Sequence, residues 1–438
     1  MLFALDPCKV KQRAGQRLRR QIKLDLERSA LYLLSQVASF ADRTVEEHTR
    51  LPFKQGLRIL DGKRTRHTSE WVNTVEADPA CRNLIVDHHD WCNVTSGHRT
   101  SQPCVFGDIL HQLAYQPDMS GLPFKRRLQL VANEAMARSQ YCYTHGQQCP
   151  IRRTVDIDMS GLPCPDNSRA NRKRKFEDIR MSMLETLLGQ DYNFTELLVE
   201  PSHCGFSGTS RKRKYIFAYH KTNGRYLFDV HEAYQSITNA IQKTVQTRPR
   251  DYFVADQHQL QAHAARLAAV RRVPFRKDTS DMYYLLNERE KIQVQTLDAC
   301  YRERSGQEPK LNKDLVYFLG DNASFTKCWS AVSNRIPTFR TNSANFWIPS
   351  KRRLLVTADK MSALGFPVSE DCARSMGVAP VPALDPRRGA KVLGNSMHLV
   401  NATIVLFIAL TCFGRDSEAP GTKIDWPAFK RRCTKFSA

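Results

Sequence analysis

The sequence predicts an α/β protein with a smaller, mostly helical region set into it, and three observations carry that expectation. Short apolar strands at 71–75 and 103–106 are each closed by an acidic residue, Glu76 and Asp108, with a helical stretch starting at Pro79 between them. Residues 232–313 are polar, poor in glycine and helical in pattern, and strand and turn signals return from Val316 onward. A hydrophobic content of 41% over 438 residues is ordinary for a globular chain with one large core or two to three smaller ones.

Residues 1–60 form a basic N-terminal region with one amphipathic helix at 22–41, which carries Leu24, Leu26, Leu31, Leu34 and Val37 on its apolar face. A core region follows over 61–231. Its later part reads as a polar loop, a helix near 178–188, strands at 194–199 and 215–219, an Asn223-Gly224 turn, and a strand at 226–230. The helical insertion spans 232–315, with an alanine-rich helix at 260–270 and a charged one at 286–304. Residues 316–414 complete the fold, and 415–438 form a basic tail. The apolar run 399–413 contains Asn401 and Thr403 and is shorter than the roughly 20 residues that cross a bilayer, so it reads as a buried helix. No membrane association is expected, and the chain reads as a monomer.

Charge points to the partner. With 66 Lys and Arg against 44 Asp and Glu, the formal net charge is +22, a field that attracts polyanions. DNA is the first expectation and RNA the second. The run Asn171-Arg-Lys-Arg-Lys175 has the composition of a nuclear import signal and suggests a nuclear location. Thirteen cysteines, an odd number without regular spacing, fit a reducing compartment. Cys142, His145 and Cys149 make a C-x2-H-x3-C group, and His88, His89, Cys92, His98 and Cys104 lie loosely upstream. Neither set has paired-knuckle spacing, so no metal site is expected.

The segment VDIDMSGLPCPDNS is the chemically suggestive one. Val155, Ile157 and Met159 alternate as in a strand, and Gly161 and Pro163 impose a turn that would present Cys164 at the strand's carboxyl end. The plain alternative is a buried cysteine that packs as a small hydrophobe.

Taken in order, these segments resemble the cytosine-C5 DNA methyltransferase family, from about Trp71 to Phe413. Cys164 in GLPCPDNS looks like the family's Pro-Cys nucleophile, with Ser168 as its trailing serine and Arg169 and Arg172 in the basic loop beside the nucleic acid. Glu76 in VEADP and Asp108 in VFGDI look like the carboxylates that hold the cofactor ribose and adenine. Arg211 and Arg213 fall in the Arg-x-Arg motif near the target base. Residues 335–341, with Arg340 and Thr341, resemble the segment supporting target recognition, and Leu393-Gly-Asn-Ser-Met397, with Asn395 and Ser396, the closing motif of the cofactor pocket.

The resemblance implies a Rossmann-like class I methyltransferase sheet, S-adenosylmethionine as cofactor, and methyl transfer to cytosine C5 through a Cys164 thiolate adduct at C6. Nearby Arg211 and Arg213 would favour the thiolate. The pattern is incomplete. The glycines upstream of Glu76 are Gly15, Gly56 and Gly62, none in a Phe-x-Gly-x-Gly loop. No Glu-Asn-Val signature lies between Cys164 and Arg211, where Glu177 is the nearest remnant. A non-catalytic descendant that binds nucleic acid through a basic cleft is therefore the alternative.

Overall fold

The structure, a computed structural model, describes residues 2–5, 73–96, 102–151, 158–160, 184–185, 188–340, 345–371, 373, 389, 393–394 and 396–415. The expected helix at 22–41, the Cys164 turn with Ser168, Arg169 and Arg172, most of the helix at 178–188, and Thr341 and Asn395 lie outside the described residues.

Thirteen strands occur among the described residues. They are β1 (Leu2–Leu5), β2 (Asn73–Val75), β3 (Cys104–Phe106), β4 (Ser139–Cys142), β5 (Gln147–Pro150), β6 (Asp158–Ser160), β7 (Tyr192–Val199), β8 (Arg213–His220), β9 (Gly224–Tyr226), β10 (Tyr317–Phe318), β11 (Phe346–Ile348), β12 (Arg353–Leu354) and β13 (Phe413–Arg415). Mixed α/β architecture is thus present. The strands form four small sheets, ordered β6-β1-β8-β7, β10-β11-β12, β13-β9 and β2-β3-β4-β5.

The longest pairing is β7 against β8, antiparallel from Tyr192 opposite His220 to Val199 opposite Arg213. Alternation sends Leu197, Val199, Tyr215 and Phe217 into the principal core, where they meet Ala233, Tyr234 and Ile241 of the helix Val230–Gln242. The helix Leu399–Cys412 supplies Ile404, Val405 and Ile408 to the same core, so the apolar run near the C-terminus is the buried helix expected of it. No helix among the described residues is long and apolar enough to cross a membrane.

A second core lies between the helices Gln257–Arg271 and Glu288–Ser305 and the sheet that carries Tyr317, Trp347 and Leu354. Both helices open with capping boxes, Asp256 with Gln259 and Asn287 with Glu290. Glu290 also joins the helices, since its carboxylate pairs with Arg271 at 2.6 and 3.0 Å and accepts from Asn345.

One element departs from expectation. The strand proposed for 226–230 stops at Tyr226, and a helix begins at Val230. Asp229 is the cause, because its side chain accepts from the amides of His231 and Glu232 at 2.8 and 2.9 Å and so starts a helix instead of continuing a strand. Because that helix packs into the principal core, the helical part of the chain divides between two cores.

Candidate functional site

Glu76 and Asp108 lie where neighbouring parallel strands end. β2 pairs in parallel with β3, Val75 standing opposite Phe106, and the Glu76 amide extends the ladder by donating to the Phe106 carbonyl at 3.0 Å. The Glu76 carboxylate turns onto the Asp78 amide at 2.8 Å, while Arg82 ties down the turn by donating to the carbonyls of Glu76 and Ala77. Asp108 is exposed, caps the following short helix through the Leu110 amide at 2.9 Å, and has its own carbonyl held by Gln140 at 3.0 Å.

Beside this edge is a shallow cleft of about 230 Å³, whose lining includes Gly107, His111, Gln140, Tyr141 and Tyr143. At Gly107 a Cβ would stand 3.1 Å from the Tyr143 ring, a tight contact. Arg82 covers that ring at 3.8 Å from its centroid, and Tyr141 meets it edge-on at 5.2 Å.

Arg211 is held inside the fold. Only 1% exposed, its guanidinium donates to the carbonyls of Phe339 (2.8 Å), Leu393 (3.1 Å), Gly394 (2.8 Å) and Ser396 (2.9 Å from Nε). Burial, followed by the neighbouring Arg213, pushes its pKa down to about 9, which leaves it a cation at neutral pH. Sequence reading made Arg211 a catalytic partner of the Cys164 thiolate. In the fold its guanidinium is engaged by backbone carbonyls, and Cys164 lies outside the described residues.

Three of the sequence motifs meet at this residue. The stretch 208–211 is laced to 336–340 by the Ile336 amide on the Gly208 carbonyl at 2.8 Å and the Thr338 hydroxyl on the Ser210 carbonyl at 3.0 Å, and the carbonyls of Leu393 and Gly394 join them at Arg211. Ser396 contributes its carbonyl here. Arg213, half-buried at the start of β8, donates to the Lys212 carbonyl at 2.9 Å. Arg340, expected to contact nucleic acid, is paired through both terminal nitrogens with Asp321 at 2.8 and 2.9 Å and packs over the Phe318 ring, so its charge is largely balanced within the fold.

A feature that sequence reading did not assemble lies at the other end of β3. The hairpin β4–β5 pairs Cys142 with Gln147, and Gly146, at φ 65°, allows the chain to turn back within the loop. This brings His145 over Cys142 and Cys149. Because Phe106 of β3 stands opposite Cys142, Cys104 comes to the same place. The His145 Nδ1 lies 3.3 Å from the Cys142 sulfur, 3.5 Å from that of Cys149 and 3.7 Å from that of Cys104, and all four polar atoms fall within 4.8 Å of one another.

Burial and the other two sulfurs push the Cys104 thiol up to about 12, and burial also raises Cys149. At Cys142 burial acts in the same sense but is outweighed by backbone amides of His145, Val105 and Thr144, which bring the thiol down to about 7. The C-x2-H-x3-C spacing was visible in the sequence. Cys104 stood in the loose upstream cluster, and strand pairing is what joins it to this group.

No protein-family model matches the chain, and no curated protein matches it.

Proposed function

We propose that the chain is a DNA (cytosine-5-)-methyltransferase-like protein with an incomplete Rossmann-like class I core, binding S-adenosylmethionine at the carboxyl edge of β2 and β3. The observation that carries this reading is that Glu76 and Asp108 close adjacent parallel strands beside a cleft, where α/β sheets bind nucleotide-like ligands. The convergence of residues 208–211, 336–340 and 393–396 on Arg211 adds to it, since the resembled family relies on those three segments to frame the target base and the cofactor.

The residues suit such a cofactor in part. Gly107 leaves space that a Cβ would take from the Tyr143 ring, and Asp108 is exposed beside it. The cleft is smaller than the 300–1,000 Å³ usual for ligand pockets, and Asp108 and Glu76 stand beside its lining and not within it. Glu76 would receive the ribose hydroxyls and Asp108 the adenine amino group. When bound, the cofactor supplies an electrophilic methyl group. The Cys164 thiolate would add to C6 of an extruded cytosine, raising electron density at C5. Arg211 would act at a distance by holding the carbonyls of Leu393, Gly394 and Ser396 in place.

The test is paired. Titration with S-adenosylmethionine, followed calorimetrically, should give binding that Asp108→Ala weakens at least tenfold and that Gly107→Val abolishes. Labelled methyl transfer to DNA should disappear in Cys164→Ala. Transfer that persists undiminished without the thiol overturns the mechanism, and absence of any cofactor binding overturns the site.

The +22 charge favours one second reading, a nucleic-acid-binding protein without turnover. Its signature is DNA affinity that falls steeply with salt while no methyl group is transferred.

A further inference from the structure

We propose that Cys104, Cys142, His145 and Cys149 form a structural zinc site, which staples β3, β4 and β5 together. The distances are those of a coordination shell. With Zn–S near 2.3 Å and Zn–N near 2.0–2.1 Å, tetrahedral geometry separates sulfur from nitrogen by about 3.6 Å. The three sulfurs lie at 3.7, 3.3 and 3.5 Å from the His145 Nδ1. A hydrogen-bonded thiol–imidazole pair needs one such contact. Three on one ring nitrogen exceed its capacity, since Nδ1 holds either one proton or one lone pair.

The chemistry of the donors selects the ion. Three thiolates and one imidazole form a soft, tetrahedral Cys3His set, which suits Zn2+ and not the oxygen-seeking Mg2+ or Ca2+. Four protein ligands fill the coordination shell, so no position is left for a reacting water and the site is structural. On binding, each thiol gives its proton to solvent and the imidazole coordinates in its neutral form through Nδ1. Backbone amides of His145, Thr144 and Val105 directed at the Cys142 sulfur would spread the charge of the bound thiolate.

The sheet needs such a staple. Its strands are three or four residues long, and among the described residues its buried apolar cluster is Phe106, Ile151, Cys142 and Cys149, with Val75, Cys104 and Ala137 packed against it. Cores this small rarely hold without a disulfide or a metal. The same strands carry Asp108 and the cleft, through Gln140 on the Asp108 carbonyl and the Tyr143 amide on the Val105 carbonyl.

The experiment is metal analysis of the full chain purified under reducing conditions without chelator. Close to one zinc per chain is expected. Cys142→Ser and Cys149→Ser should lose most of it, while Cys300→Ser, on the helix Glu288–Ser305, should keep it. His145→Cys should also keep it, because four ligands remain, whereas His145→Ala should not. Replacement by cobalt should give the intense visible absorption of a tetrahedral, thiolate-rich ion in the folded wild type, a readout independent of whether any variant folds. Wild-type protein that is free of zinc with all three thiols titratable, or that carries a Cys142–Cys149 disulfide, overturns the site, and stoichiometric iron overturns the ion assigned. None of these measurements requires methyl transfer, so the site stands or falls apart from the catalytic reading.

Discussion

Substituting Arg211 separates a positioning role from a catalytic one. In Arg211→Ala the carbonyls of Phe339 and Leu393 lose partners in buried surroundings, while those of Gly394 and Ser396, partly buried, can turn to water. Stranding a buried acceptor costs about 1–3 kcal/mol, so the first two set the scale. The relief of no longer burying a cation offsets part of this, and the net loss should be about 3 kcal/mol. Arg211→Lys keeps the charge without the planar fork, so it should recover roughly half of that loss.

Thermal unfolding reads the effect, at about 2–4 °C per kcal/mol for domains of 150–250 residues, which gives a drop of roughly 6–12 °C for alanine. Hydrogen exchange should locate it in the helix Leu399–Cys412, which follows shortly after Ser396. An alanine variant that melts within about 2 °C of wild type, with unchanged exchange in that helix, would refute the reasoning. If such a variant also lost methyl transfer, Arg211 would belong at the reacting atoms after all.

Other perturbations test the cores. His398 is fully buried and its ring nitrogens have no hydrogen-bond partner among the described residues, so burial lowers its pKa from 6.5 to about 3. Its unfolded form gains a proton that the folded form refuses, so stability should fall as pH drops from 6.5 toward 3, with a slope that His398 alone can bring to about 1.4 kcal/mol per pH unit. His263, lowered to about 4 by burial and then by Lys360, acts in the same direction, and a His398→Gln melting profile as steep as wild type would remove His398 from the account. Arg353 and Asp359 form a buried pair at 2.6 Å, with Asp359 also receiving the amides of Val356 and Ala255. Asp359→Ala should therefore cost about 3–5 kcal/mol in urea titration, and a loss below about 1 kcal/mol would mean that water reaches the guanidinium. Gly205→Ala would place a Cβ 1.8 Å from the Val245 carbonyl oxygen at φ 77°, so its soluble yield and melting temperature should both drop sharply, and a near-native melt would contradict the packing there.

What could be read from the sequence follows from how local each signal is. The strands before Glu76 and Asp108 were legible because a short apolar run ended by an acid carries its own boundary, and both strands are present. The helices near 260–270 and 286–304 were legible from their composition and pattern, and the helix at 399–412 from its apolar run. The segment after Tyr226 misled, since Leu227, Phe228 and Val230 look like a strand unless Asp229 is given weight as a cap. The surroundings of Arg211 were hidden for another reason. An arginine in a basic run reads as solvated or catalytic, and only the fold shows that backbone carbonyls surround it. Cys104 was beyond reach of spacing rules, because thirty-seven residues separate it from Cys142 and the register Phe106 opposite Cys142 closes the gap.

The two regions on which the proposed function draws depend on different physics. Arg211 and its carbonyls are packed against the principal core, where Val199, Tyr215, Phe217 and the Leu399–Cys412 helix provide extensive apolar burial. The edge with Glu76 and Asp108 rests on a sheet whose apolar cluster is far smaller and whose thiols converge on one histidine. Hydrophobic burial scales with area, so the first region can hold its geometry unaided, whereas the second gains most from a cross-link that removes freedom from the open chain. Loss of the thiol–imidazole cluster should accordingly disorder the acidic edge while leaving the Arg211 hub intact. A carboxylate pair set on so small a sheet can serve as a binding edge only if something other than apolar packing keeps β3 against β4.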